Sequence, residues 1–274
     1  MSFTLVRKII SLLNNKAARP NFSAGIFASV VFIASLWAPS AMAFDFSGWD
    51  ELLKKHVLAK TVSGVRFSAV NYPAMKRDPR YARLIADLKI FPLDSLKTRK
   101  EKLAFWINLY NIFAVKVVQD NYPVESIKDV GSFFSPVWDK TAGVAGGKEI
   151  TLSEIEHEVL RKMDEPRIHV AIVCASISCP DLRKEVYTAK DLDAQLDDQV
   201  KRFLENRGKG LRIDRSAGKV WLSAIFKWFK DDFKSSGGVV AFVSKHVPAR
   251  DVSYLQGKKF KISYLDYDWG LNSL

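Results

Sequence analysis

The stretch Arg167–Pro180, RIHVAIVCASISCP, decides how this chain is read, and it holds both of its cysteines, Cys174 and Cys179. Asp164-Glu165-Pro166 breaks whatever precedes it, and Pro180 closes it. A short β-branched apolar run between such stops predicts a buried strand over Arg167–Cys174. Alternation along a strand sets His169, Ala171 and Val173 on one side, and Ile168, Val170, Ile172 and Cys174 on the other. Cys179 then falls in the loop past the strand end, the kind of place where sites are commonly built. His169 and Cys174 point to opposite faces in that arrangement, which favours Cys179 as the reactive thiol.

Helices and further strands surround this stretch without strict alternation. Helices are expected at Trp49–Leu58, from Asp78-Pro79 to Leu88, and from about Leu96 to Gln119, the last containing KEKLAFWINLYNIFAVKVV. Others are expected from Thr151 to about Lys162, where Thr151 and Glu154 fit a capping box, over Asp191–Asn206, from Ser223 through AIFKWFKDDF, and from Gly237-Gly238 to His246. Gly64–Tyr72 predicts an extended segment. Hairpins are expected around Gly146-Gly147 and around Ser216-Ala217-Gly218, with a final strand over Lys259–Leu265. The class is α+β: a single domain with a mixed or antiparallel central sheet and helices packed around it.

The first 43 residues read differently. They contain no acidic residue, and Arg7, Lys8, Lys16 and Arg19 all precede the apolar run AGIFASVVFIASLWA. Pro39 and Ala41-Met42-Ala43 follow, which completes the pattern of a secretory signal peptide cleaved after Ala43. The alternative is an uncleaved anchor, but the run from Ala24 to Ala38 is short against the roughly 17–25 residues of a spanning helix. Residues 44–274 are then one globular domain of an exported protein, periplasmic or extracellular, with no further membrane span.

Removing the four basic residues lowers the formal net charge from +12 to +8. The remaining basic groups, Lys97–Lys100, Arg207–Arg212 and Lys258-Lys259, are scattered and read as solvated faces. An exported chain meets little nucleic acid, so an anionic envelope surface fits this charge better. An unknown small molecule or peptide is the other partner expected. No cofactor motif appears. Two cysteines and four scattered histidines do not make the four-ligand spacing of structural zinc, so no metal is expected.

Polar residues that interrupt apolar faces mark the candidate site. On the long helix, Glu101, Ala104, Phe105, Asn108, Ile112 and Val115 share a stripe, with Asn111 beside it. An unmet buried amide costs on the order of 1–3 kcal/mol, so Asn108 and Asn111 require partners: either a neighbouring loop or a site. On the next helix Glu156 sits within the arc of Leu152, Ile155, Val159, Leu160 and Met163, with His157 at its edge. Glu156 either pairs with Arg161 or Arg167, or acts as an acid/base group with a shifted pKa.

FWINLYN (Phe105–Asn111), IEHEVLR (Ile155–Arg161), RIHVAIVCASISCP, SAIFKWFKDDF (Ser223–Phe233) and YDWGLN (Tyr267–Asn272) together resemble the domain of unknown function 547 family. The resemblance is ordered and spans about Glu101–Asn272. It implies that Asn108, Asn111, Glu156, His157, Arg161, Arg167, His169, Cys174, Cys179, Asp232 and Asp268 belong to one motif set, and it brings no mechanism with it.

Two function classes follow. In the first, Cys179 is the nucleophile of a hydrolase or acyl transferase acting on a peptide- or thioester-like bond. His157 or His169 serves there as base, with Glu156, Asn108 or Asp268 as orienting group. In the second, Cys174 and Cys179 form a disulfide that staples a non-catalytic ligand- or envelope-binding module. Asn111, Arg161, Arg167, Ser176 and Asp268 are the binding candidates in either case.

Overall fold

The computed structural model describes residues 43–257 and 259–274. The expected signal peptide therefore lies almost entirely outside the described residues. Ala41–Leu274 form one unit built around the helix Arg99–Asn121. That helix starts at a capping box: the Glu101 N–H donates to Thr98 Oγ1 at 3.2 Å, and the Thr98 N–H donates to Glu101 Oε2 at 2.8 Å. Glu101 thus caps an exposed helix start instead of pointing into the core as the stripe suggested. Beyond it the helix is buried on nearly all sides, as expected of a helix that is apolar all round.

The α+β class holds, but the strands do not form one central sheet. β1 (Val57–Val62) and β2 (Val65–Val70) make an antiparallel ribbon, turning at Ser63 and Gly64, both with positive φ. β3 (Thr141–Ala145) and β4 (Lys148–Thr151) make a second ribbon, whose turn at Gly146-Gly147 needs the φ of +57° and +79° that glycine adopts without strain. β5 (Leu211–Asp214) and β6 (Lys219–Leu222) pair antiparallel, and β7 (Lys261–Tyr264) adds in parallel to β6.

The central sheet is missing because the segment expected to be its core strand is not a strand. Pro166–Val170 is a 3₁₀ helix, followed by irregular chain through Pro180. The Glu165 carboxylate caps it by accepting the Arg167 N–H at 3.2 Å, and Pro166 fits the first turn. Burial on every side makes the run apolar whether it is helical or extended, so periodicity alone does not separate the two. The Thr151 capping box is present, with Glu154 N–H on Thr151 Oγ1 at 3.0 Å. Its helix, however, widens to a π-helix over Glu154–Leu160, tightens over Arg161–Met163 and ends at Asp164 with φ +49°.

Two apolar cores result. One surrounds the Arg99–Asn121 helix; the other gathers Val200, Phe203, Phe226, Phe233 and Phe242 under the C-terminal sheet. The last residues lace the molecule together. Ile177 N–H bonds Gly270 O at 2.9 Å, Asn272 N–H bonds Ala175 O at 3.1 Å, and Val70 N–H bonds Asn272 O at 2.8 Å. The cysteine loop is thereby fixed between the C-terminal segment and β2. Among the described residues no helix is long and apolar enough to cross a membrane.

Candidate functional site

The seam between the two cores opens into a cavity of about 210 Å³ that both cysteines line. Tyr110 reaches it from the long helix, Glu156 and His157 from the π-helix, and His169 from the 3₁₀ turn. Trp138, Trp228, Tyr267 and Trp269 make its aromatic wall, with Trp228 stacked on Trp269 at 5.8 Å and Tyr267 against Trp269 at 4.6 Å. A larger groove of about 720 Å³ runs past Phe44, Arg80 and Phe91, but no thiol or imidazole lines it. Both thiols and the imidazoles of His157 and His169 therefore gather at the smaller cavity.

Both cysteines are free. The Cys174 N–H donates to Cys179 Sγ at 2.8 Å, and Cys174 Sγ lies 3.2 Å from the Tyr267 hydroxyl and 3.4 Å from Ser176 Oγ. Ser176 also donates to the Tyr267 oxygen at 3.3 Å. Burial pushes the Cys174 thiol well up, and its neighbour Cys179 adds to that. Burial opposes ionisation of Cys179 too. Hydrogen bonds from the Cys174 side chain, Tyr267 and the Cys174 N–H outweigh it, with help from Lys209, and lower that thiol to about 7. Two thiols this close do not both ionise, and the surroundings favour ionisation of Cys179 over Cys174.

Glu156 is 7% exposed, and burial raises its carboxyl to about 7, against the opposing effects of the Tyr110 hydroxyl (3.3 Å) and Arg161. It makes no ion pair within 4 Å among the described residues, so the pairing with Arg161 or Arg167 is not what accommodates it. Arg161 instead grips Asp232 through two bonds of 2.6 and 2.7 Å and donates to His157 Nδ1 at 3.1 Å. Burial and the Arg161 charge lower the pKa of His157. His169 Nε2 donates to Asp232 Oδ2 at 2.8 Å while its ring stacks on Phe229 at 4.1 Å, and burial lowers it to about 4. Its Nδ1 is buried and has no hydrogen-bond partner among the described residues. Both imidazoles are thus neutral near pH 7.

The remaining candidates are placed elsewhere. Asn108 spends its amide on the backbone of Tyr187, accepting from N–H at 3.1 Å and donating to C=O at 2.8 Å, and does not line the cavity. Asn111 does the same for the cysteine segment, bonding Ala171 O at 3.0 Å and Val173 N–H at 2.8 Å. Arg167 sits in a carboxylate cluster with Glu165, Asp193 and Asp197. The Asp268 carboxylate closes its own turn on the Gly270 N–H at 2.8 Å. No hydrogen bond joins either histidine to either sulfur among the described residues. Among the same residues no group of three or more His, Cys, Asp or Glu is placed to hold a metal.

Residues 93–204 match the family described as Protein of unknown function, DUF547. Over that span the chain is similar to that family. The DUF547 match contains Tyr110, Glu156, His157, His169, Cys174 and Cys179, and ends before Trp228, Tyr267 and Trp269, which complete the cavity, and before Asp232, the partner of His169. No curated protein and no solved structure matches the chain. The aromatic wall has a faint trace in the sequence, since YDWGLN sets Tyr267 and Trp269 two apart near the end of the chain. Lys209 left none: it lies in RGKGLR, which reads as a solvated basic stretch, yet only 2% of it is exposed.

Proposed function

We propose that this protein is an exported thiol-dependent hydrolase or acyl transferase, with Cys179 as nucleophile and the aromatic-walled cavity as the acyl- or peptide-binding site. One observation carries the reading: Cys179 Sγ lies in a concave site where a backbone N–H already points at it and a carboxyl titrating near neutrality lines the same wall. A thiolate is the reactive form of cysteine, and it needs this kind of stabilisation when buried.

In the reaction, the Cys179 thiolate forms a bond to the carbonyl carbon, and the C=O electron pair moves to oxygen. Collapse of that tetrahedral species breaks the bond to the leaving group, which takes the Glu156 proton as it departs. Water or an acceptor amine or hydroxyl then adds to the thioester and gives its proton to the Glu156 carboxylate. The Cys179 thiolate leaves, and the site returns to its starting state. The His169–Asp232–Arg161 chain holds the adjoining wall, and Trp138, Trp228 and Trp269 provide apolar surface for the acyl or side-chain group.

The test is single-turnover acyl transfer from an activated thioester, followed by intact mass. Acylation of wild type at Cys179 and loss of the adduct in Cys179→Ala, with the melting temperature retained, is the expected result. No adduct at any thiol, with saturable binding of the same compound, leaves the non-catalytic binding module. That no hydrogen bond joins a histidine to a sulfur among the described residues favours that second reading. Export is tested separately by the amino terminus of secreted protein, expected at Phe44.

A further inference from the structure

Lysine is almost never fully buried unless paired, and Lys209 is as buried as the core phenylalanines. Two close backbone approaches put it there. A Cβ on Gly210 would stand 1.8 Å from Phe203 O, and one on Gly208 would stand 2.8 Å from Val65 Cγ2, so glycines on both sides let the chain wedge inward. The Asn206 carboxamide and carbonyl hold this turn through the N–H groups of Gly208, Lys209 and Gly210 at 3.2, 3.2 and 2.8 Å. The side chain then runs under the cysteine loop. Its Nζ donates to Cys179 O at 2.8 Å and Asp181 Oδ1 at 2.9 Å, with Ile177 O at 3.4 Å.

Stability alone does not call for an ammonium here, because hydrophobic replacements of buried ion pairs are often neutral or stabilising. We propose that Lys209 is a positioning residue for Cys179: it fixes the thiol-bearing turn through three loop oxygens and supplies a buried positive charge beside the nucleophile. This rests on the reading of Cys179 as the reactive thiol. The other ionisable groups acting on that thiol are Cys174 and Tyr267 from the facing loops, Tyr110 and Tyr72 from helices, and Glu156 from the π-helix. Each of these is neutral or becomes negative on ionisation. Lys209 is the cation of the set, and the Asp181 carboxylate offsets it.

The experiment is the pH profile of iodoacetamide alkylation at Cys179, followed by peptide mass on the folded protein, and it needs no substrate. Lys209→Met is expected to raise the midpoint by about one pH unit or more, the usual effect of removing an adjacent opposite charge. Asp181→Asn, which keeps Lys209 and removes its counter-charge, is expected to lower the midpoint. If Lys209→Met fails to fold, the Asp181→Asn shift decides alone. An Asp181→Asn midpoint equal to that of wild type overturns the proposal, as does an unchanged midpoint in a folded Lys209→Met protein. Neither outcome touches acyl transfer itself, which is read by the thioester experiment.

Discussion

The Cys174 N–H points at Cys179 Sγ over 2.8 Å, so the first cysteine's backbone solvates the second cysteine's sulfur. The two thiols are thereby unequal: burial holds Cys174 as a thiol, while hydrogen bonds lower the Cys179 thiol. Selective labelling follows from this. Limiting iodoacetamide at pH 8 is expected to modify Cys179 first, with Cys174 reacting only after unfolding. Peptide mapping that finds Cys174 labelled first reverses the assignment.

Glu156 carries a pH signature in stability. Its folded pKa is raised from 4.5 to about 7, so the folded protein keeps a proton that the unfolded chain releases. The stabilisation from this group is full below about pH 4.5 and is lost as pH rises through 7, a change of order 3 kcal/mol. Glu156→Gln is expected to remove that fall, as measured by urea unfolding at pH 5 and pH 8. Equal pH dependence in both proteins places the raised pKa elsewhere.

His169 behaves in the opposite sense. Burial lowers its pKa from 6.5 to about 4, so its contribution is full above 6.5 and is lost as pH falls through 4. Its ring proton resonances are expected to stay at neutral-imidazole positions down to about pH 4 in an NMR titration. Asp232→Asn is expected to lower that midpoint further, since the carboxylate is the group that favours the charged ring.

Asn111 holds the cysteine segment to the long helix by one donor and one acceptor bond. Asn111→Ala leaves the Val173 N–H and the Ala171 carbonyl unpaired in the core. The expected loss is about 2–6 kcal/mol in urea unfolding, at roughly 1–3 kcal/mol for each of the two unmet buried groups. A loss below 1 kcal/mol means that the segment finds other partners.

Phe133 and Phe134 are 91% and 92% exposed and touch each other at 5.3 Å. The double change Phe133→Ser/Phe134→Ser is expected to move stability by less than about 0.5 kcal/mol, as for surface sites without special contacts. A larger loss shows that the pair is covered in solution.

Features that a few neighbouring residues specify were legible in the sequence. Thr151 with Glu154 is a capping box on paper and in space. Gly146-Gly147 turns its hairpin because only neighbours three residues apart need agree on it. The apolar arc that made Glu156 conspicuous also survives, since the side chain does point inward. What failed or went unseen depended on distant chain. RIHVA is helical because Asn111 and the surrounding cores bury it on every side, which erases the periodicity that separates strand from helix. Tyr267 comes to Cys174 from 93 positions away, carried by C-terminal backbone bonds to Ala175 and Ile177. Lys209 turns inward because glycines on both sides let backbone close on Phe203 and Val65. Sequence by itself determined the local geometry and the chemical types available. Only the tertiary structure decided which thiol ionises more readily, because that depends on dipoles and charges brought together by packing and not by spacing along the chain.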